Sequence, residues 1–282
     1  MGISQLQWRI IKDRVFKSLL ILVSFVSVIP LGFILYFLIL KGAPAINWEF
    51  LVAGPKPYGI AGGGVAHAIV GTLILIGLAA LFSIPAGISI GLYLSEFRKS
   101  KMAYWTRLGV DVLQGVPSIV IGIIAWSWIV RPMRMFSALS GGIALGLMML
   151  PIIARSTEET IRLIPLSIKE ASLSLGVPYY RTVLKVILPS GISGIVSGIL
   201  LSIARIAGET APLIFTAFGS RFMNLDIFKP VESMPLLIYR YASSPYQDLH
   251  TMAWGASFLL VLFVLTLNIT AKGVCRKWCI KY

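Results

Sequence analysis

The chain has 282 residues, 57% of them hydrophobic and 13% charged, with a mean hydropathy of +0.87 and a formal net charge of +14. Soluble domains carry about 25% charged residues, so the composition excludes an ordinary soluble domain and places the chain among membrane proteins. So apolar a chain offers no solvated basic face to nucleic acid, and its basic excess is read as membrane topology.

Six apolar runs follow one another, at 18–40, 65–95, 112–130, 137–154, 186–219 and 251–271, the fifth interrupted by two charges. A helical span needs ~20 apolar residues, within roughly 17–25. Strand-like alternation is absent, and an open sheet leaves its backbone unsatisfied in lipid. The expected architecture is an all-α membrane protein of six transmembrane helices. The first run exceeds the ~7–15 residues of a cleaved signal core. The expected organisation is 1–64 for the N-terminal segment, first helix and outer loop, 65–272 for the main transmembrane domain, and 273–282 for a tail.

Basic residues set the orientation. Seventeen lie in the N-terminal segment, the loop after the second run, the insert at 155–189 and the C-terminus, against seven in the alternate loops; Arg205 lies within a run. Both termini are therefore expected in the cytoplasm. Arg131 and Arg134 sit against the rule. Trp8, Trp48, Trp105, Trp254 and Trp278 mark run ends, where an aromatic belt belongs.

The glycines at 62–64 lack the Lys-Ser/Thr of a phosphate-cradling P-loop and read as a flexible lead into the second span. No G-x-x-x-x-G-K-[ST] occurs, so ATP hydrolysis is expected from another chain. The outer segment 220–250, rich in Pro and Tyr, is expected either to contact an external partner or to plug the helix ends. Cys275 and Cys279 read as inert thiols in a reducing compartment, and no set of four zinc ligands is expected.

The insert at 155–189 is polar and basic between apolar runs. Ser156-Thr157-Glu158-Glu159 reads as a helix start, with hydroxyls for the cap and carboxylates in the first turn. A short helix is expected from about 167 to 175, stopped by a left-handed Gly176 and restarted after Val177-Pro178. Its small residues Ala171, Ser172 and Ser174 suit a groove on a partner, whereas a lipid-surface helix leaves the spacing Glu170-Ala171-Ser172, Gly176, Leu188-Pro189 unexplained. That spacing resembles the cytoplasmic coupling loop of ABC-importer permeases, with Ser172 in place of a second Ala and Val186 in place of Ile. The resemblance implies a type I ABC importer permease fold, with Glu170, Ala171, Ser172, Gly176, Leu188 and Pro189 docking an ATPase.

The fifth run holds Arg205 and Glu209. A mid-span arginine costs at least about 2.5–3.5 kcal/mol, so both charges are expected to face the bundle interior or a wet path. Four residues apart on one helix they share a face, and Ala211-Pro212 is expected to break the helix just beyond them. Arginine's planar fork matches oxyanions, and broken helices near the midplane are common substrate positions. Gln114 and Ser118, near Pro117, offer neutral donors. Helix–helix glue is the competing reading.

Arg205 to Leu213, with Gly115-Val116-Pro117-Ser118-Ile119-Val120-Ile121-Gly122 and Ser156-Thr157-Glu158-Glu159, is similar to the PstA family of permeases of the bacterial phosphate ABC importer. The resemblance covers roughly 60–270. It implies translocation of inorganic phosphate across the cytoplasmic membrane by alternating access, as a heterodimer with a second permease (PstC). Two copies of an ATPase (PstB), which uses ATP and Mg, and a periplasmic phosphate-binding protein (PstS) complete the expected assembly. The chain itself is expected to bind no cofactor or metal and to be no enzyme. Alternatives are a permease for molybdate, sulfate or phosphonate, or a scaffold that reports phosphate status.

Overall fold

The computed structural model describes residues 2–57 and 62–278, with side chains described from 7 to 57 and from 62 to 273. The side chains of Cys275, Trp278 and Cys279 therefore lie outside the described residues. Helix α1 spans Gly2–Gly42 and α2 Trp48–Val52. Next come α3, Ala66–Glu96, α4, Lys101–Gly115, and α5, Ser118–Ala125, which continues through a π turn, Trp126–Val130, into α6, Arg131–Met133. Helix α7 spans Ala138–Arg162, α8 Leu166–Ser174 and α9 Tyr179–Thr182; a second π turn, Val183–Ile187, joins α9 to α10, Leu188–Ile206. Last are α11, Ala211–Thr216, α12, Met234–Ala242, and α13, Gln247–Trp278. Among the described residues the one β contact is an isolated bridge between Phe218 and Val231.

Five helices are long and apolar enough to cross a membrane, and six spans result when the pair 101–115 and 118–133 counts as one. That pair is bent by 106°, so the third apolar run is no straight span. Pro117 disfavours the α region for Val116, whose ψ is 130°, and Pro117 itself has ψ 138°. The apolar residues 112–115 close the charged helix α4, and the chain turns before α5 begins.

The two π turns share a cause. Each precedes a proline by two residues, Pro132 and Pro189. A proline ring clashes with the carbonyl four residues back, which here belongs to Trp128 and Lys185, the midpoints of the two turns. Widening the helix there relieves the clash without ending it. Tyr179–Ile206 is therefore a continuous span.

Small residues set the helix packing. On α3 and α7, Gly87 faces Ile153 and Gly91 faces Thr157, while Gly142 faces Leu78 and Gly146 faces Ser83, whose Oγ donates to the Gly146 carbonyl at 2.7 Å. Both helices thus carry a Gly-x-x-x-Gly pair and run parallel at backbone distance, where van der Waals contact drives association in lipid. Leu75, Leu145, Met149 and Ile153 form the buried core along this seam. Helix α10 joins in antiparallel register, Gly194 against Thr160 and Gly198 against Ser156.

Ser156-Thr157-Glu158-Glu159 starts no helix, contrary to expectation. These residues lie inside α7, which runs on to Arg162. Successive helical residues turn by about 100°, and here each meets a different helix: Ser156 meets α10, Thr157 meets α3, and Glu158 reaches Arg107 of α4.

On the opposite side Gly42 of α1 packs on Trp254 and Phe258 of α13, and Lys41 lies 5.5 Å from the Trp254 ring centroid. The end of α1 therefore meets the beginning of α13, and the two terminal helices run antiparallel. Gly62 and Gly63 have φ of 90° and 95°, and Gly64 packs on the carbonyls of Glu49, Phe50 and Ala53. That is a packed turn requiring glycine, not a flexible lead. The outer segment folds down on the bundle: Met234 N–H donates to Thr72 Oγ1 at 2.8 Å, and the Glu232 backbone sits on Gly71. Residues 231–237 thus form the expected plug over the helix ends, while Phe222, Leu225 and Phe228 stay exposed.

Candidate functional site

The insert matches its expected form beyond Arg162. Pro165 opens α8, Gly176 closes it at φ 75° with open space around its α-carbon, and Pro178 opens α9. Ser172 and Thr182 are buried against each other, their hydroxyls 2.9 Å apart, which folds α9 back onto α8. Lys169 bonds Glu96 at the end of α3 and lies 5.0 Å from the Tyr179 ring centroid. The insert is thus folded on itself by Ser172 and Thr182 and tied to the bundle through Lys169 and Glu96.

Its other face is bare. Leu163 and Leu175 are each 83% exposed, and Leu166, Glu170, Ala171 and Gly176 are exposed with them. An apolar face on a polar element beyond the spans marks an interaction site. Ser172 is the buried member of the expected docking set, so its small side chain serves internal packing. Leu188 and Pro189 lie beyond the π turn at the start of α10, where Pro189 is exposed and Leu188 partly buried; they shape the span rather than the exposed face.

The second candidate region is the pair of breaks. Helix α10 ends at Ile206, and the chain turns at 207–210 before α11. The break therefore precedes Glu209 instead of following it. Pro212, in the first turn of α11, sits where a missing N–H costs little. Arg205 lies on α10 and Glu209 within the break, so the two do not share a helix face. Among the described residues no ion pair or hydrogen bond joins Arg205, Glu209, Gln114 or Ser118 to one another.

The arrangement does bring these residues to one depth. Continuing the antiparallel register of Gly198 with Ser156 sets Arg205 level with Met149, half-way along α7. Asp111 pairs with Arg155 at 3.3 Å, and one further turn of α4 sets Gln114 at about the same level. The half-helices α5 and α11 then run side by side: Gly122 packs on Pro212, and Phe136 stacks on Phe218 at 4.6 Å. Arg205 and Gln114 are both exposed, and Ser118 and Glu209 are partly exposed. Arg205 is thus a mid-span cation facing away from its own bundle, so of the two surroundings expected for it the bundle interior is excluded.

One cluster was not read from the sequence. Glu158, 1% exposed, accepts from Arg107 Nη2 at 2.7 Å and Nε at 3.2 Å, bonds Arg162, and lies 3.8 Å from Arg155. An acid next to a hydroxyl suits a helix cap and a helix interior alike, and only the helices around α7 decide between them.

The family model described as binding-protein-dependent transport system inner membrane component matches residues 83–276. The phosphate transport system permease protein PstA of Yersinia pestis is 39% identical over 271 residues, covering 96% of this chain and 92% of that protein. PstA of Pasteurella multocida is 40% identical over 266 residues, 94% of each chain. Among solved structures, the inward-facing MetNI methionine ABC transporter superposes with a TM-score of 0.61 at 19% identity, over 76% of this chain and 94% of that one. A bacterial ABC transporter for import of the polysaccharide alginate gives 0.60 at 17% identity, over 97% and 99%. These two show the fold alone, that of type I ABC importer permeases. The chain belongs to the binding-protein-dependent transport system inner membrane component family, as a multi-pass membrane permease of the PstA group.

Proposed function

We propose that this permease translocates inorganic phosphate across the cytoplasmic membrane by alternating access. As a permease of a binding-protein-dependent system it works with an ATPase and a substrate-binding protein. More specifically, the partners are a second permease of the PstC type, two copies of a PstB-type ATPase that uses ATP and Mg, and a periplasmic phosphate-binding protein of the PstS type. Glu170, Ala171 and Gly176, with exposed Leu163, Leu166 and Leu175, form the face that meets the ATPase.

The exposure of Arg205 carries the reading. An arginine at mid-span, with no acid beside it and no bundle around it, is tenable only against a second subunit or a water-filled path. A path between this chain and a second permease provides both. There the guanidinium offers a bidentate site to a phosphate oxygen pair, Gln114 and Ser118 add neutral donors, and Glu209 limits the depth of the anion's well. The phosphate named in the relatives fits that chemistry.

The test is Arg205→Ala in the assembled importer, with uptake of labelled phosphate measured at matched expression. Loss of one charge-assisted contact, ~1.5–3 kcal/mol, lowers uptake roughly ten- to hundredfold while the complex still co-purifies. Wild-type uptake in that variant rejects the substrate role. Competition by sulfate or molybdate as strong as that by unlabelled phosphate assigns the path to another oxyanion.

A further inference from the structure

The ions around Glu158 serve no step of the reading above, yet they join the docking region to the transport path. We infer that Arg107 and Glu158 are positioning residues that carry motor displacement from α8 through the end of α7 into α4, and so to the bend at Pro117. The inference rests on α8 being where a motor docks.

The geometry supports a mechanical link. Arg162, the last residue of α7, bonds Glu158, and α8 begins four residues further on. Glu158 then holds Arg107, whose Nη2 also donates to the Leu94 carbonyl of α3 at 3.4 Å. One turn along α4 and one turn back along α7, Asp111 pairs with Arg155 at 3.3 Å. The two helices are thus pinned antiparallel at two points. Apart from these pins α4 has little grip on the bundle: Ala103 and Val110 are its buried residues, while Tyr104, Trp105 and Leu108 are exposed. Gln114 follows Arg107 by seven residues on the same face, and the bend follows at once.

A buried carboxylate is a poor way to gain stability, since apolar residues of similar volume often do as well. What the ions add is direction. Guanidinium forks fix angle as well as distance, so rotation of the α7 end turns α4 instead of slipping past it. Thr157 and Ser156, on the neighbouring faces of that turn, seat the same pivot against α3 and α10.

The test reconstitutes the complete importer with its binding protein in proteoliposomes and measures phosphate moved per ATP hydrolysed. Arg107→Ala leaves Glu158 with Arg162 and Arg155, so the complex assembles. ATP hydrolysis stays within about twofold of wild type, while phosphate per ATP falls about fivefold or more, and Arg107→Lys, which restores the charge without the fork, recovers only a small part of the ratio. A wild-type ratio in Arg107→Ala overturns the inference. So does a parallel fall of hydrolysis and uptake, which marks Arg107 as merely structural. Should Arg107→Ala not assemble, Asp111→Asn removes the second pin alone and is read by the same ratio, with the same outcomes. Failure of the phosphate reading looks different: the wild-type complex hydrolyses ATP without moving phosphate, and the ratio is then read with the oxyanion it does move.

Discussion

Among the described residues two carboxylates lose nearly all contact with solvent, Glu158 at 1% exposure and Glu232 at 4%. Glu158, on the cytoplasmic side, is held by Arg107 and Arg162, with Arg155 nearby. Glu232, in the outer segment, has Arg240 alone at 2.9 Å, and Arg240 divides itself between that acid and the Phe218 carbonyl. Burial pushes the Glu232 carboxyl up to about 7, against the opposing pull of Arg240 and a backbone N–H from Ser233. The difference concerns what each end of the molecule must do. Three cations drawn from two helices make a joint that resists rotation, whereas one cation within a single loop and helix leaves the buried acid short of charge compensation, a latch that deprotonation loosens.

The largest expected effect tests whether the joint is the stronger. Glu158→Leu leaves three guanidiniums without their common acid. Because these side chains remain 25–37% exposed, the cost sits near the lower end of that for breaking a buried pair, about 3 kcal/mol. Glu232→Leu frees only Arg240, which keeps the Phe218 carbonyl, and costs less. Thermal melting in detergent ranks the two; equal losses erase the contrast.

Protonation separates them next. Glu232 has a folded value above its unfolded one, so the folded protein holds the proton more tightly between pH ~4.5 and ~7. Its contribution to stability is complete below about 4.5 and is lost as pH rises through about 7, a change of at most ~3 kcal/mol. Arg240 acts on it directly, and Tyr241, pushed up first by burial, is close enough to be pushed further by its charge. Relative to Glu232→Gln, the wild-type melting temperature is therefore expected to fall across that window. An unchanged slope in that variant assigns the proton elsewhere.

The smallest effect sharpens the boundary of the joint. Gly176→Ala meets no neighbour, and its one penalty is the left-handed backbone at φ 75°, roughly 1 kcal/mol. It touches neither Glu158 nor Arg107. Melting should hardly move, while ATPase co-purification weakens several-fold as the corner between α8 and α9 shifts. Unaltered co-purification removes Gly176 from the docking face.

Much of this was legible in residue order. Apolar runs and basic clusters specified the spans, and the residues from Glu170 through Gly176 to Pro178 specified a short helix, its left-handed stop and its restart, because Pro and Gly act on the backbone wherever they stand. The misplaced features share a cause. Ser156 to Glu159 read as a cap because hydroxyls and acids favour helix starts, yet Gly91 and Gly198 left room for two of them inside a seam. Arg205 and Glu209 read as one face until the helix ended between them. Pro117, by contrast, bends the chain by a local rule, through the extended ψ it imposes on Val116.

Composition by itself therefore determined the solvent of this protein, and Gly and Pro determined where its helices turn, since both are local properties of the chain. Which helix each polar residue meets was decided only in the tertiary structure. The partners of Glu158 come from positions up to 51 residues away, and Arg205 faces outward because the helices that cover the rest of α10 leave that side open.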